Sequence, residues 1–154
     1  MDDHEERPSL NRLAAQATTH CLTGCAIGEV LGLAVATQLG WSTDASIAIA
    51  VVLAYAFGYA LTLRPLLRSG LALGAALGVA FAADTLSITV MEIVDNAVVL
   101  LVPGAMAAGL TDPLFWTSLA VGLALAWVAA FPVNRWLVAR GLGHARAMAH
   151  HGHH

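Results

Sequence analysis

The sequence predicts an all-α, polytopic membrane bundle of four transmembrane helices with both termini on the cytoplasmic side. Three observations lead there: the apolar bias, the length of the apolar stretches and the placement of the arginines. Of the 154 residues, 58% are hydrophobic and 11% are charged, whereas a soluble domain averages roughly 25% charged. The mean hydropathy is +0.74. A bilayer core takes about 20 apolar residues in a helix, and four stretches meet that length. All seven cations are arginines, and none interrupts an apolar stretch. The net charge of −3 argues against nucleic acid as a partner.

Residues 1–16 read as a polar cytoplasmic segment, 17–140 as the membrane domain and 141–154 as a His-rich cytoplasmic tail. The opening MDDHEERPSL lacks a basic n-region followed by an apolar h-region, so insertion without cleavage is expected. The first span runs from Thr18 to Leu39, the second from Ala45 to Leu63 and the fourth from Leu114 to Val133. The third starts at Gly70 and extends to Val102, where Pro103-Gly104 stops it. That is more than a straight crossing needs. The stretch therefore tilts, projects beyond the membrane or breaks near Asp84.

Arg7 and Arg12 precede the first span, Arg64 and Arg68 follow the second, and Arg135, Arg140 and Arg146 follow the fourth. The other two connections carry no arginine, so the positive-inside rule places both termini in the cytoplasm. Trp41, Trp116 and Trp136 fall near span ends, as interfacial tryptophans do. Gly24, Gly28 and Gly32 form one small-residue stripe, and Gly70, Gly74 and Gly78 form another. Such stripes let helix backbones approach in lipid. They are expected to join the first and third helices, or copies of them, and so to support a homo-oligomer.

Eight polar or sulfur side chains stand where lipid penalises them: His20, Cys21, Cys25 and Glu29 on the first span, and Asp84, Met91, Glu92 and Asp95 on the third. A charged group at a helix centre costs roughly 2.5–3.5 kcal/mol on insertion scales. Cys21, Cys25 and Glu29 follow i, i+4, i+8 and share one face, while Asp84, Met91 and Asp95 fall within about 40° of arc. No arginine lies close in sequence, so the carboxylates must be protonated, hydrated or neutralised by a cation. Thiolate, imidazole and thioether favour Cu(I) or Zn(II), and carboxylates accept harder ions. The tail ends Ala-His-His-Gly-His-His, a composition that collects metal or stays silent.

Taken one at a time, these residues have plain structural readings. A membrane cysteine is often a small apolar filler, Met91 alone is ordinary packing, and Asp84 has Thr85 and Ser87 beside it. The cluster is harder to explain by packing. The expected function is a transition-metal-binding membrane protein, a small transporter or channel that takes copper or zinc. The alternatives are a proton-coupled carrier of another small solute, or a membrane redox or assembly subunit. No P-loop, Rossmann glycine pattern, GxSxG elbow or haem attachment motif is present, so nothing marks an enzyme.

The strings HCLTGCAIGE at 20–29, ADTLSITVMEIVDN at 83–96 and FPVNRWLVARG at 131–141 resemble the bacterial membrane family known as domain of unknown function 4396. The resemblance covers nearly the whole membrane part. It implies an integral membrane protein of bacterial type, expected in the bacterial inner membrane, with His20, Cys21, Cys25, Glu29, Asp84 and Asn134 in the family's motif positions. Longer members carry extra N-terminal helices, which implies that a short form relies on self-association. The resemblance supplies no substrate and no catalytic residue.

Overall fold

The computed structural model describes residues 9–140. The acidic first residues and the His-rich tail lie outside the described residues, together with Arg7 and Arg146. Four α-helices make up the architecture, and no strand occurs among the described residues. Each helix is long and apolar enough to cross a membrane, which makes the chain a multi-pass membrane protein by length and composition.

Helix α1 spans Leu10–Leu39. Ser9 caps it by accepting the Arg12 N–H at 3.3 Å. Gly40, at φ 65°, closes it in the left-handed conformation that glycine adopts without strain. The helix thus begins before the expected span, and residues 10–16 are its first turns rather than a separate segment. At about 1.5 Å per residue it is about 45 Å long, against a core of ~30 Å.

Helix α2 covers Thr43–Arg68 and starts on the Ser42 cap, with Pro65 in its last turn. Helix α3 covers Leu73–Leu101 and runs unbroken through Asp84, which settles the long third stretch as one helix. Gly104 and a single 3-10 turn at Ala105–Ala107 lead away from it. Helix α4 covers Pro113–Ala139. Asp112 caps it by accepting the Leu114 N–H at 2.9 Å, and Pro113 sits in the first turn, where its missing N–H has no cost.

The helices alternate in direction. Helix α1 packs most closely on α2, α3 packs on α4, and α1–α4 and α2–α3 contacts close the ring, leaving α1 and α3 on the diagonal. The glycine stripe of α1 is the tightest seam, and it faces α2. A Cβ at Gly24 would fall 2.7 Å from the Gly58 Cα, and one at Gly32 would fall 2.5 Å from the Ala50 Cα. The expected α1–α3 seam is therefore corrected: short connection and small residues on both partners pair α1 with α2. The stripe on α3 has no such partner, since Gly70, Gly74 and Gly78 meet nothing within 4 Å.

The interior reverses the pattern of a soluble protein. Ala54, Ala126 and Ala130 are fully buried, while Phe81 and Ile93 are each 65% exposed. Large apolar side chains point outward, where lipid solvates them. Alanine, glycine, cysteine and polar groups make up most of the interior, together with the larger Leu66, Ile88 and Met91.

Candidate functional site

Helices α1 and α3 run in the same direction, and a constant offset relates their inward faces. The Cys21 thiol donates to Asp84 Oδ1 at 3.5 Å, 63 positions away. The same offset of 63 carries Glu29 to Glu92. The eight candidate residues therefore separate into two levels along the bundle axis, rather than forming one centre.

The first level holds Cys21, Asp84 and a buried hydrogen-bond cluster. Asn134 of α4 donates its amide to Thr18 Oγ1 at 3.0 Å and to Ser87 Oγ at 2.8 Å. Asn134 thus ties α4 to both α1 and α3. His20 turns toward α2, where its Nε2 meets Thr62 Oγ1 at 3.2 Å. Cys21 and Cys25 are not joined by a disulfide. Both pack in one buried cluster with Met91, Ile88 and the alanines of α2 and α4.

The second level is acidic. Glu29 of α1 has Asp95 and Glu92 of α3 as its charged neighbours, and Cys25 borders Glu92 and Glu29. Glu29 and Glu92 are each 5% exposed and Asp95 is 4% exposed. With all three groups ionised, neither carboxyl oxygen of Glu29 has a donor, nor does Glu92 Oε1 or Asp95 Oδ1. Asn96 donates to Glu92 Oε2 at 3.3 Å, the Cys25 thiol lies within hydrogen-bond reach of Glu92, and Glu29 lies within such reach of both Asp95 and Glu92, so that a proton on one carboxyl is shared with its neighbours. Space for Asp95 comes from Gly122 on α4: a Cβ there would collide with Asp95 Oδ1.

Above this acidic level, away from Cys21 and Asp84, lies a cavity of about 340 Å³. Glu29 and Asp95 line it, as do Asn96, Thr37, Ser46 and Ser118. Trp41 and Phe115 also line it, near the α1–α2 connection and the start of α4. No arginine or histidine lines it among the described residues. Buried carboxylates without a cation or donor beside them are costly, and they face a space large enough for a ligand.

Glu29 belongs with Glu92 and Asp95, and Asp84 with Cys21, because the register between α1 and α3 is set by the packing and not by distance from each helix start. Among the described residues, no three His, Cys, Asp or Glu side chains close around one point as a metal ion's ligands would. Sequence reasoning named the carboxylates but not the cavity walls. Thr37, Ser46 and Ser118 carry no signal in sequence, since such residues are ordinary in membrane helices. Gly122 lies outside both stripes and gave none either.

The sequence matches the family described as Domain of unknown function (DUF4396) over residues 10–143. The chain belongs to that family. The matched range takes in all four helices and both polar levels, so the site described above lies within the DUF4396 domain. No curated protein and no solved structure matches the chain at a significant level.

Proposed function

We propose that this protein is a membrane carrier of small cations, in which Glu29, Glu92 and Asp95 hold the cation or the protons it replaces. The observation that carries the reading is Glu29. It is nearly fully buried, as a carboxylate it has no donor on either oxygen and only carboxyl groups as charged neighbours, and it lines a ligand-sized cavity beside Asp95. A carboxylate in that position needs neutralising, and a cation entering the cavity supplies the charge. Exchange keeps the electrical balance: one proton leaves the carboxyl group for each positive charge taken up.

Proteoliposomes with a pH-sensitive dye inside test this. Na⁺, K⁺, Zn²⁺, Cu(I) and small organic ammonium ions are added in turn. The expected result is proton movement opposite to at least one cation, lost in Glu29→Gln. Proton movement with none of them, or equal movement in Glu29→Gln and Asp95→Asn, would sink the reading.

A second reading keeps copper or zinc as the ligand. It is supported by Cys21, Cys25 and Met91 sharing one buried cluster, a sulfur set that suits Cu(I). Elemental analysis of the purified protein beside a Cys21→Ser/Cys25→Ser variant decides it. About one metal ion per chain, lost in the variant, is the outcome this reading requires.

We place the chain in the bacterial inner membrane with its termini inside, on the strength of the positive-inside rule. Arg12, Arg64, Arg68, Arg135 and Arg140 all lie toward the same end of the bundle. The cavity then opens outward. The unpartnered stripe at Gly74 and Gly78 supports a contact with a second copy, and light scattering in detergent measures it.

A further inference from the structure

The geometry points to a small organic ammonium ion as the cation that occupies the cavity, held by charge at Glu29 and Asp95 and by the rings of Trp41 and Phe115. This rests on the carboxylate reading and narrows its ligand class. Three features of the cavity carry it.

Size is the first. A volume of about 340 Å³ compares with about 30 Å³ for one water's share of liquid volume. A dehydrated metal or alkali ion would leave most of that space unfilled. Ligand sites for small molecules begin near ~300 Å³.

The distribution of charge is the second. The acidic groups lie only at the floor, where Glu29 and Asp95 line the space and, as carboxylates, both oxygens of Glu29 and Oδ1 of Asp95 have no donor. The rest of the wall is hydroxyl, amide, aromatic and aliphatic. An inorganic ion would have to complete its oxygen shell with waters and the scattered hydroxyl and amide groups of the wall. An ammonium ion wants anionic contact on one side and tolerates, or prefers, carbon on the others.

The third is the aromatic pair. Trp41 and Phe115 both line the cavity, and Phe115 is only 7% exposed, with its ring set edge-on to Trp116 at 5.1 Å between centroids. Ring faces attract alkylammonium groups, and most strongly where water is excluded. Gly122 completes the design by leaving room for the Asp95 carboxylate at the floor.

Isothermal titration of the purified full chain in detergent tests this, with choline, its uncharged carbon isostere 3,3-dimethylbutan-1-ol, Na⁺, Zn²⁺ and Cu(I) as probes. Saturable choline binding is expected, with none for the isostere. Glu29→Gln should weaken it at least about thirtyfold, as loss of a buried charge partner does. Trp41→Leu should weaken it about threefold to thirtyfold. Should Glu29→Gln not yield folded protein, Gly122→Ala keeps every carboxylate and displaces only Asp95, and it should weaken choline binding as well.

Glu29-dependent binding of Na⁺, Zn²⁺ or Cu(I) without choline binding would overturn the ammonium assignment and leave the carboxylate reading standing. Choline binding unchanged in Glu29→Gln, or matched by the isostere, would also overturn it. Failure of every cation to bind would remove both.

Discussion

Asn134 and Glu29 are both polar and both buried, yet they stand in opposite relation to their surroundings. Asn134 is satisfied, donating to Thr18 and Ser87 at 3.0 and 2.8 Å. Glu29 is not. Interhelical hydrogen bonds in lipid average about 0.6 kcal/mol and reach ~1.7, so Asn134→Leu should cost about 1–3 kcal/mol, read as a lower midpoint in thermal or SDS unfolding. Glu29→Gln should leave that midpoint unchanged or raise it, because the amide donates to Asp95 or Glu92 as a protonated carboxyl does and never carries a charge that must be buried. A fall as large as that of Asn134→Leu would mean that Glu29 is structural. The carboxylates were legible in the sequence because an ionisable group in an apolar run violates the solvent it sits in. The cavity's hydroxyl groups violate nothing, and only the assembled bundle reveals them.

Helix lengths and order were legible for the same reason, since about 20 apolar residues mark a span whatever packs beside it. Which helix faces which was not. Two similar glycine stripes suggested an α1–α3 seam, but a stripe records only that some backbone comes close. The Gly24–Gly32 stripe meets Gly58, Ala54 and Ala50 of α2, while Gly74 and Gly78 face open space. Gly28→Val should therefore push α1 off α2 and lower the unfolding midpoint strongly, since its Cβ would meet the Ala54 backbone. Gly78→Val should leave the midpoint of the single chain unchanged. If it instead changes the mass measured by light scattering, the α3 stripe is the contact between copies. The third stretch also resolves at this level. Asp84 leaves its helix intact because its carboxylate is engaged by Cys21 on α1 and does not compete for its own backbone.

The whole molecule is a bundle with small and polar groups along its axis and large apolar groups outside, open at one end above three carboxylates. That arrangement makes access one-sided. Thr43 is exposed and lines the cavity, whereas Cys21 and Cys25 are buried. In spheroplasts, a membrane-impermeant maleimide added outside should label Thr43→Cys within minutes and leave the native cysteines unmodified. Labelling only after the cells are opened would reverse the orientation. In the sequence, the arginines are the basis of the proposed orientation and the ionisable groups the basis of the proposed chemistry. The sequence did not carry the cavity, whose lining is gathered from all four helices, the α1–α2 connection and the segment between α3 and α4. The central claim is that the buried carboxyl groups exchange protons for a cation. Infrared difference spectroscopy of the protein in lipid, with and without choline, reads those groups directly. The expected result is loss of a protonated carboxyl band and gain of carboxylate bands on adding the cation, absent in the Glu29→Gln/Asp95→Asn variant. A carboxyl region unchanged by choline and by every inorganic cation tried, in protein that is folded, would contradict it.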